Sequence, residues 1–183
     1  MTRVYTRLGD DGSTGLLFGG RVSKGDGLIA ALGAIDEAQA TLGAARAASP
    51  AGADAEQILQ LQRELFVVAA DLGCNPRQRR RLRAGLTRVT AEMTGGLETW
   101  IDAIVALHPL RPVFVVSGAN CESALLDLAR TAVRRAERQA VQVLESGKVV
   151  APEVIAYLNR LSDLLYVMAR SAAGGAEEPA SHD

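Results

Sequence analysis

The feature that most constrains the fold is a long stretch, residues 125–144, with the composition of an α-helix. Its sequence, LLDLARTAVRRAERQAVQVL, lacks Gly and Pro and is rich in residues that favour helices. At about 100° per residue, apolar and charged side chains separate onto two faces. The apolar face comprises Leu125, Leu128, Ala129, Ala132, Val133, Ala136, Ala140 and Val143, and the charged face Asp127, Arg130, Arg134, Glu137 and Arg138. The pattern predicts a long amphipathic helix.

Three arginines of this helix, Arg130, Arg134 and Arg138, are four residues apart and therefore lie in a row. Like charges at this spacing cost roughly 0.2–0.5 kcal/mol per pair. Asp127 and Glu137 each lie three residues from an arginine and offset part of that cost. Two interpretations stay open on the charge pattern alone. The row is either a solvated face with local ion pairs, or a surface that binds an anion or another subunit.

Four further segments have the apolar periodicity of helices, at about 28–47, 54–72, 86–107 and 152–173. Short polar connections containing Gly or Pro separate them. The sequence therefore predicts an all-α protein, a five-helix up-and-down bundle. A short β-branched run at 113–116 is expected to line a pocket or to cross one end of the bundle, and Ser117 or Asn120 is expected to cap the helix that follows.

Composition and charge narrow the class of protein. The 183 residues suit one domain, and the 48% hydrophobic but only 4% aromatic content favours closely packed helices. A net charge of −1 argues against nucleic-acid binding, and the basic run at 77–83 is expected to be a solvated loop. No segment resembles a signal peptide or a membrane span. Cys74 and Cys121 lack metal-ligand spacing. We expect a cytoplasmic protein without a metal site of its own.

Residues 1–25 differ from the rest of the chain because Gly, Asp, Ser and Thr are concentrated there. A long loop before a first helix is usually functional or disordered, and its backbone N–H groups can bind an anion. The loop contains no P-loop motif, and the Gly25-Asp26-Gly27 string is not completed as a dinucleotide-binding motif. The predicted organisation is a loop segment at 1–25, a helical bundle at 26–173 and a flexible tail at 174–183, all within one domain.

Three separated segments resemble those of the PduO-type ATP:cob(I)alamin adenosyltransferases. They are YTRLGDDGSTGL at 5–16 with RVSK at 21–24, RRAER at 134–138, and NRLSDLL at 159–165. Their order and spacing fit that family across nearly the whole chain. The resemblance implies the ferritin-like five-helix bundle of cobalamin adenosyltransferases, with an ordered nucleotide-binding loop, assembled as a homotrimer with active sites between subunits.

The implied reaction transfers the 5′-deoxyadenosyl group of ATP to cob(I)alamin, with Mg²⁺ assisting, and yields adenosylcobalamin and tripolyphosphate. Cob(I)alamin is itself a strong nucleophile, so the reaction needs no Ser–His or Cys–His pair. It needs alignment of ATP with cobalt and stabilisation of a highly charged leaving group. A Gly/Ser/Thr loop together with Arg and Lys side chains can supply both. A corrinoid reductase and an adenosylcobalamin-dependent acceptor enzyme are the partners that such a reaction implies.

The resemblance assigns roles to individual residues. ATP binding is carried over to Thr6, Arg7, Gly9, Asp10, Gly12, Ser13, Thr14, Lys24, Arg134, Arg135, Glu137, Arg138 and Asn159. Arg138, Glu137 and Phe114 receive catalytic roles, and Phe114 would lie under the corrin, where it would exclude the lower axial ligand. Asp36 would pair with Arg134 across the subunit interface. Arg130 has no comparable match and is expected to be structural.

The chain departs from the family pattern in three places. Ser117-Gly118-Ala119 stands where P-G-G is usual, Leu125-Leu126-Asp127 where A-L-H is common, and DEAQ at 36–39 where D-E-L-N is common. These changes lie on the corrinoid side and in the first helix, so the motifs support ATP binding better than corrinoid handling. An ATP-gated corrinoid escort or storage protein with weak catalysis is one alternative, and a helical oligomer that binds another polyanion is a second.

Overall fold

The structure is a computed structural model that describes residues 5–49 and 52–181. Five α-helices form its body: α1 (Gly27–Ala48), α2 (Ala53–Leu72), α3 (Ala91–Leu107), α4 (Cys121–Glu145) and α5 (Pro152–Ala173). α1 packs against α2 and α4, and α5 packs against α4 and α3. The helices thus lie in the spatial order α2, α1, α4, α5, α3, and the prediction of a five-helix bundle is confirmed.

Local signals explain where the helices begin. Of the two predicted caps of α4, Asn120 is confirmed, because it forms a capping box with Ser123: the Asn120 Oδ1 accepts from Ser123 N at 2.9 Å and the Ser123 Oγ from Asn120 N at 3.2 Å. α3 begins at Ala91 and not near residue 86, because the preceding chain turns at Gly85, whose φ is +69°. α5 has its predicted bounds and begins at Pro152.

The core is built largely from α4 and its neighbours α1 and α5. The predicted apolar face of α4 is buried from Ala129 to Val143, but Leu128 is 52% exposed and Leu126 is buried in its place. Asp127 was expected on the charged face, and this expectation is wrong, because it is only 3% exposed. Two arginines on α4 and α5 surround its carboxylate and compensate its burial.

Tyr157 of α5 is fully buried. Its hydroxyl donates to Glu64 Oε2 of α2 at 2.6 Å. A buried phenol needs a partner of this kind. Burial is also the main reason why the pKa of Tyr157 lies well above its usual value.

The N-terminal segment folds back on itself as a hairpin of two short strands, β1 (Ser13–Gly15) and β2 (Arg21–Ser23). The turn between them rests on the end of α2. Leu17 N donates to Gly73 O and Asn75 N donates to Leu17 O, both at 3.0 Å. Asn75 Nδ2 donates to Gly19 O at 2.8 Å, so the hairpin is fixed to the bundle at this end.

The basic run at 77–83 is not the simple solvated loop that the sequence suggests. Residues Pro76–Arg81 form a 3₁₀ helix. Within it, Arg79 donates to Oδ1 of the fully buried Asp71 at 2.5 Å, and the other carboxylate oxygen of Asp71 accepts from Val89 N at 2.9 Å. Arg79 is thus structural, since it balances a buried charge, while four other arginines of the run are exposed: Arg77, Arg80, Arg81 and Arg83.

The segment after α5 contacts the connection between α3 and α4. Val116 N donates to Glu178 O and Ala180 N donates to Phe114 O, both at 2.8 Å. Glu177 is buried and forms an ion pair with Arg170. The sequence analysis predicted a flexible tail at 174–183 and gave no indication of these contacts. None of the helices described here has the length and apolarity that crossing a membrane requires.

Candidate functional site

Two basic side chains organise the N-terminal loop from within. Arg21 donates through Nε and Nη2 to Ser13 Oγ, at 2.9 and 2.6 Å. Lys24 Nζ donates to Gly9 O at 2.8 Å. Asp11 Oδ1 accepts from the Ser13 backbone N at 2.9 Å, which is the main reason why the pKa of Asp11 is lowered. The loop therefore has a defined shape, although most of its residues are exposed.

Two glycines suit the geometry of the loop. A Cβ added to Gly9 would lie 3.1 Å from Lys24 Nζ, so the ammonium group would have to shift by a few tenths of an ångström. Gly12 has a φ of +80°, a conformation that side chains disfavour. The loop thus brings together the predicted ATP residues of the N-terminal region: Thr6, Arg7, Gly9, Asp10, Gly12, Ser13, Thr14 and Lys24. The N–H groups of Asp10, Gly12 and Ser13 bond within the loop, so positive charge for phosphate comes from the exposed Arg7 and Lys24.

A second group of predicted residues lies on the facing surfaces of α4 and α5. Asn159 Nδ2 donates to Glu137 Oε1 at 3.0 Å, so two of these residues are in direct contact. Arg138 and Arg134 are exposed, and neither forms an ion pair or hydrogen bond with the residues that the structure describes. Arg135 differs, because it forms an ion pair with Glu37 of α1. Arg135 therefore links α4 to α1, whereas Arg134 and Arg138 can receive an external anion.

The two groups are not joined within one chain. Among the described residues, no hydrogen bond or ion pair connects residues 5–25 with α4 or α5. The contacts of the loop go instead to the end of α2 and to the 3₁₀ helix, where the Arg81 guanidinium lies 4.3 Å from the centre of the Phe18 ring. One chain thus presents the predicted nucleotide residues as two separate groups.

Asp36 lies on an exposed face of α1, beside the exposed Phe66 of α2. Its neighbour Glu37 is engaged by Arg135, but Asp36 forms no ion pair with any residue of the described chain. Phe66, at 61% exposed, is large and apolar for a solvated position. An unpaired carboxylate next to an exposed aromatic ring suits a surface that another subunit covers.

Phe114 lies in the connection between α3 and α4 and is 89% exposed. Val113 and Val115 line a cavity of about 220 Å³ together with Tyr166 and Arg170, which confirms the expectation that this run lines a pocket. The Phe114 ring itself has few protein neighbours. An apolar ring held in the open next to a cavity can stack against a large flat ligand.

Some residues of these regions were not predicted from sequence as site residues. Arg21 belongs to the RVSK string at 21–24, but its role in shaping the loop is visible only from its bonds to Ser13. The buried group of Asp127, Arg170 and Glu177 was also missed. Its members are far apart in the chain, and the only sequence signal was the unusual Asp at position 127.

The structure is thus a five-helix bundle with an ordered polar loop before α1 and an arginine-bearing α4. The family model described as cobalamin adenosyltransferase matches residues 4–172, and the chain belongs to that family. The corrinoid adenosyltransferase of Mycobacterium tuberculosis is similar, with 41% identity over 180 residues that cover 94% of this chain and 89% of the relative.

Solved structures agree with this assignment. A PduO-type ATP:corrinoid adenosyltransferase from Lactobacillus reuteri, as a phenylalanine-to-alanine variant complexed with cobalamin and ATP, superposes with a TM-score of 0.86. It is 27% identical, with 97% of each chain covered. An arginine-to-lysine variant of that enzyme, complexed with ATP, gives a TM-score of 0.84 at 26% identity, covering 98% of this chain and all of the other.

Proposed function

We propose that this protein transfers the 5′-deoxyadenosyl group of ATP to cob(I)alamin and releases adenosylcobalamin and tripolyphosphate. The observation that carries the proposal is that one chain presents both a preorganised polar loop and an α4 surface whose exposed Arg138 is free to bind an anion. Family membership supports the same reaction, because the related proteins are corrinoid adenosyltransferases. ATP and cobalamin are both substrates.

The cobalt of cob(I)alamin attacks C5′ of ATP, the new bond is Co–C, and the C5′–O bond breaks with its electron pair leaving on the triphosphate. The protein therefore stabilises negative charge on the leaving group. Arg138 and Lys24 supply positive charge. Asn159 and Glu137 orient the nucleotide. Mg²⁺ would neutralise further charge on the phosphates when bound with ATP.

The complete site is proposed to form between subunits of a homotrimer. The loop of one chain and the α4–α5 surface of another would then enclose one ATP. Two observations support this arrangement: the halves of the site are unconnected within one chain, and both Asp36 and Arg134 lack an ion-pair partner in the described part of that chain. Pairing Asp36 with Arg134 of a neighbouring subunit would satisfy both charges.

On the corrinoid side, Phe114 is proposed to lie beneath the corrin ring. Its exposure leaves the ring free to occupy the space that a lower axial ligand would take. Loss of that ligand makes Co(II) easier to reduce. We place the protein in the cytoplasm, where a corrinoid reductase would supply its substrate and an adenosylcobalamin-dependent enzyme would receive its product.

The test is a direct assay. The protein is mixed with ATP, Mg²⁺ and chemically reduced cobalamin, and the absorbance change to alkylcobalamin is followed. Product formation that depends on ATP is expected. ATP binding without any ATP-dependent product would refute the enzyme and would favour a corrinoid escort or storage protein. Trimer assembly is tested separately by light scattering coupled to gel filtration, and a monomer at assay concentration would refute the shared site.

A further inference from the structure

Arg170 of α5 lies at the centre of a buried charge cluster that the reaction does not use directly. Its side chain is 10% exposed and forms ion pairs with Asp127 of α4 and with Glu177 of the segment after α5. Arg130 adds a second positive charge, donating from Nε to Asp127 Oδ1 at 3.0 Å. The cluster therefore balances two carboxylates with two guanidinium groups.

The segment that Glu177 anchors is the same segment that holds the Phe114 connection. Ala180 N donates to Phe114 O and Val116 N donates to Glu178 O, both at 2.8 Å. The Arg111 Nη1 also donates to Glu177 O at 3.3 Å. The three hydrogen bonds thus involve Arg111, Phe114 and Val116 of the connection, and each has its other partner within residues 177–180. We call residues 177–180 the C-terminal strap.

The Phe114 ring is too exposed to be positioned by packing. Its location is set by its backbone, and the backbone is held by the C-terminal strap. The strap in turn is held by Glu177, its one buried residue, through Arg170. The core of the bundle therefore fixes the location of the exposed ring through the Arg170–Glu177 ion pair and the hydrogen bonds between the strap and the Phe114 connection.

We propose that Arg170 and Glu177 are positioning residues for corrinoid handling, which act by fixing the C-terminal strap and, through it, Phe114. This proposal rests on the proposed function only in that Phe114 meets the corrinoid. It predicts that weakening the Arg170–Glu177 pair changes the response to corrinoid and leaves the response to ATP unchanged. Asp127 holds the other side of Arg170, which gives the unusual residue at position 127 a role in this chain.

The test variant is Glu177→Gln, which keeps the shape of the side chain and removes its charge. The matched control is Glu178→Gln, the same change one residue later on an exposed side chain. Because small misplacements of a reacting pair are costly, we expect KM for cob(I)alamin to rise by about tenfold in Glu177→Gln, with KM for ATP unchanged. The control should behave as the unmodified protein. Equal changes in both KM values, or none, would overturn the proposal.

A double-mutant cycle shows whether the effect passes through Phe114. If the strap acts by placing this ring, Glu177→Gln should have little further effect on corrinoid kinetics once Phe114 is Ala. Independent, additive effects of the two changes would contradict the proposed route. A spectrum of cob(II)alamin bound with ATP gives a second readout, since displacement of the lower axial ligand should be less complete in Glu177→Gln than in Glu178→Gln.

Hydrogen exchange keeps the test valid if the adenosyltransferase assay fails. Exchange at the amides of Val116 and Ala180 should accelerate in Glu177→Gln, while amides in the middle of α4 keep their protection. Unchanged exchange at both amides would refute the strap whatever the enzyme does. If Glu177→Gln does not fold, Ala180→Pro replaces it, because this change removes the N–H donated to Phe114 and leaves every buried charge paired.

Discussion

The nucleotide loop and the Phe114 connection, which serve the two substrates of the proposed reaction, are held in place in different ways. The nucleotide loop takes its internal shape from contacts close in sequence, such as Ser13 with Asp11 and Lys24 with Gly9, although its hairpin turn is fixed to the end of α2. The Phe114 connection takes its shape from distant ones, since Arg170 reaches Asp127 on another helix and the strap comes from beyond α5. The internal shape of the loop should therefore tolerate substitutions elsewhere in the chain, whereas the position of the Phe114 connection should depend on the packing of the core.

The largest expected effect concerns the nucleotide end. Arg138→Ala should lower kcat/KM by about 10²–10³-fold, the usual cost of removing one group that stabilises developing negative charge. The fold should persist, because Arg138 is exposed and unpaired in the described chain. The assay is ATP-dependent alkylcobalamin formation, with circular dichroism as the check on folding. Arg80→Ala, an exposed arginine of the 3₁₀ helix, is the matched control, and wild-type kcat/KM in Arg138→Ala would disprove the assigned role.

The next effect contrasts two aspartates that both form an ion pair with arginine. Asp127→Ala leaves Arg170 buried with half its partners and should lower the free energy of unfolding by about 3–5 kcal/mol. Asp11→Ala removes an exposed, solvent-screened pair with Arg21 and should change the stability far less. Urea unfolding measures both. Equal losses would show that the loop and the Phe114 connection are not held in place differently.

Assembly provides a third test. Asp36→Ala should weaken trimer formation and ATP binding, because the proposed partner Arg134 of the neighbouring subunit loses its counter-charge. Glu37→Ala is the control, since Glu37 already pairs with Arg135 inside the chain. Sedimentation at several concentrations reads the effect. A normal trimer with normal ATP affinity in Asp36→Ala would rule out the proposed pair.

A smaller effect is expected within the loop. Gly9→Ala places a Cβ about where it would press on Lys24, so the ammonium group must shift and ATP affinity should fall several-fold. Gly27→Ala is the control, because a Cβ there meets nothing within 4 Å. Calorimetric titration with ATP separates the two. An unchanged affinity in Gly9→Ala would show that Lys24 is not placed by this contact.

The smallest effect is the pH dependence near neutrality. Burial raises the pKa of Asp127, but hydrogen bonding by Ser117, Arg170 and Arg130 outweighs burial and leaves the pKa below its usual value. A lowered carboxyl pKa stabilises the folded state above the unfolded value, about 3.9, and this stabilisation is lost as the pH falls through the folded pKa. Strap exchange protection should therefore be flat from pH 7 to 5. A loss within that range would point to another titrating group.

The same contrast explains what could be predicted from sequence. The helices follow from periodicity, and the loop motif is contiguous, so its residues were found together. Glu137 and Asn159 were assigned to the site from two separate motifs, but their contact at 3.0 Å is visible only in the structure. The burial of Asp127 could not be predicted, because on a helical wheel it falls beside Arg130 and only the fold brings Arg170 to it. The structural role of Arg79 in the 3₁₀ helix could not be predicted for the same reason, because nothing in the local sequence indicates that its partner Asp71 is buried.

The helix order also has a consequence for how the chain folds. α1 packs against α4, although α2 and α3 lie between them in sequence. Forming that contact requires closure of a long loop, which slows folding relative to a bundle of sequential neighbours. During synthesis, α1 and α2 must therefore wait for α4 with an apolar face uncovered. The window between the emergence of α2 and of α4 is when this chain is most exposed to aggregation.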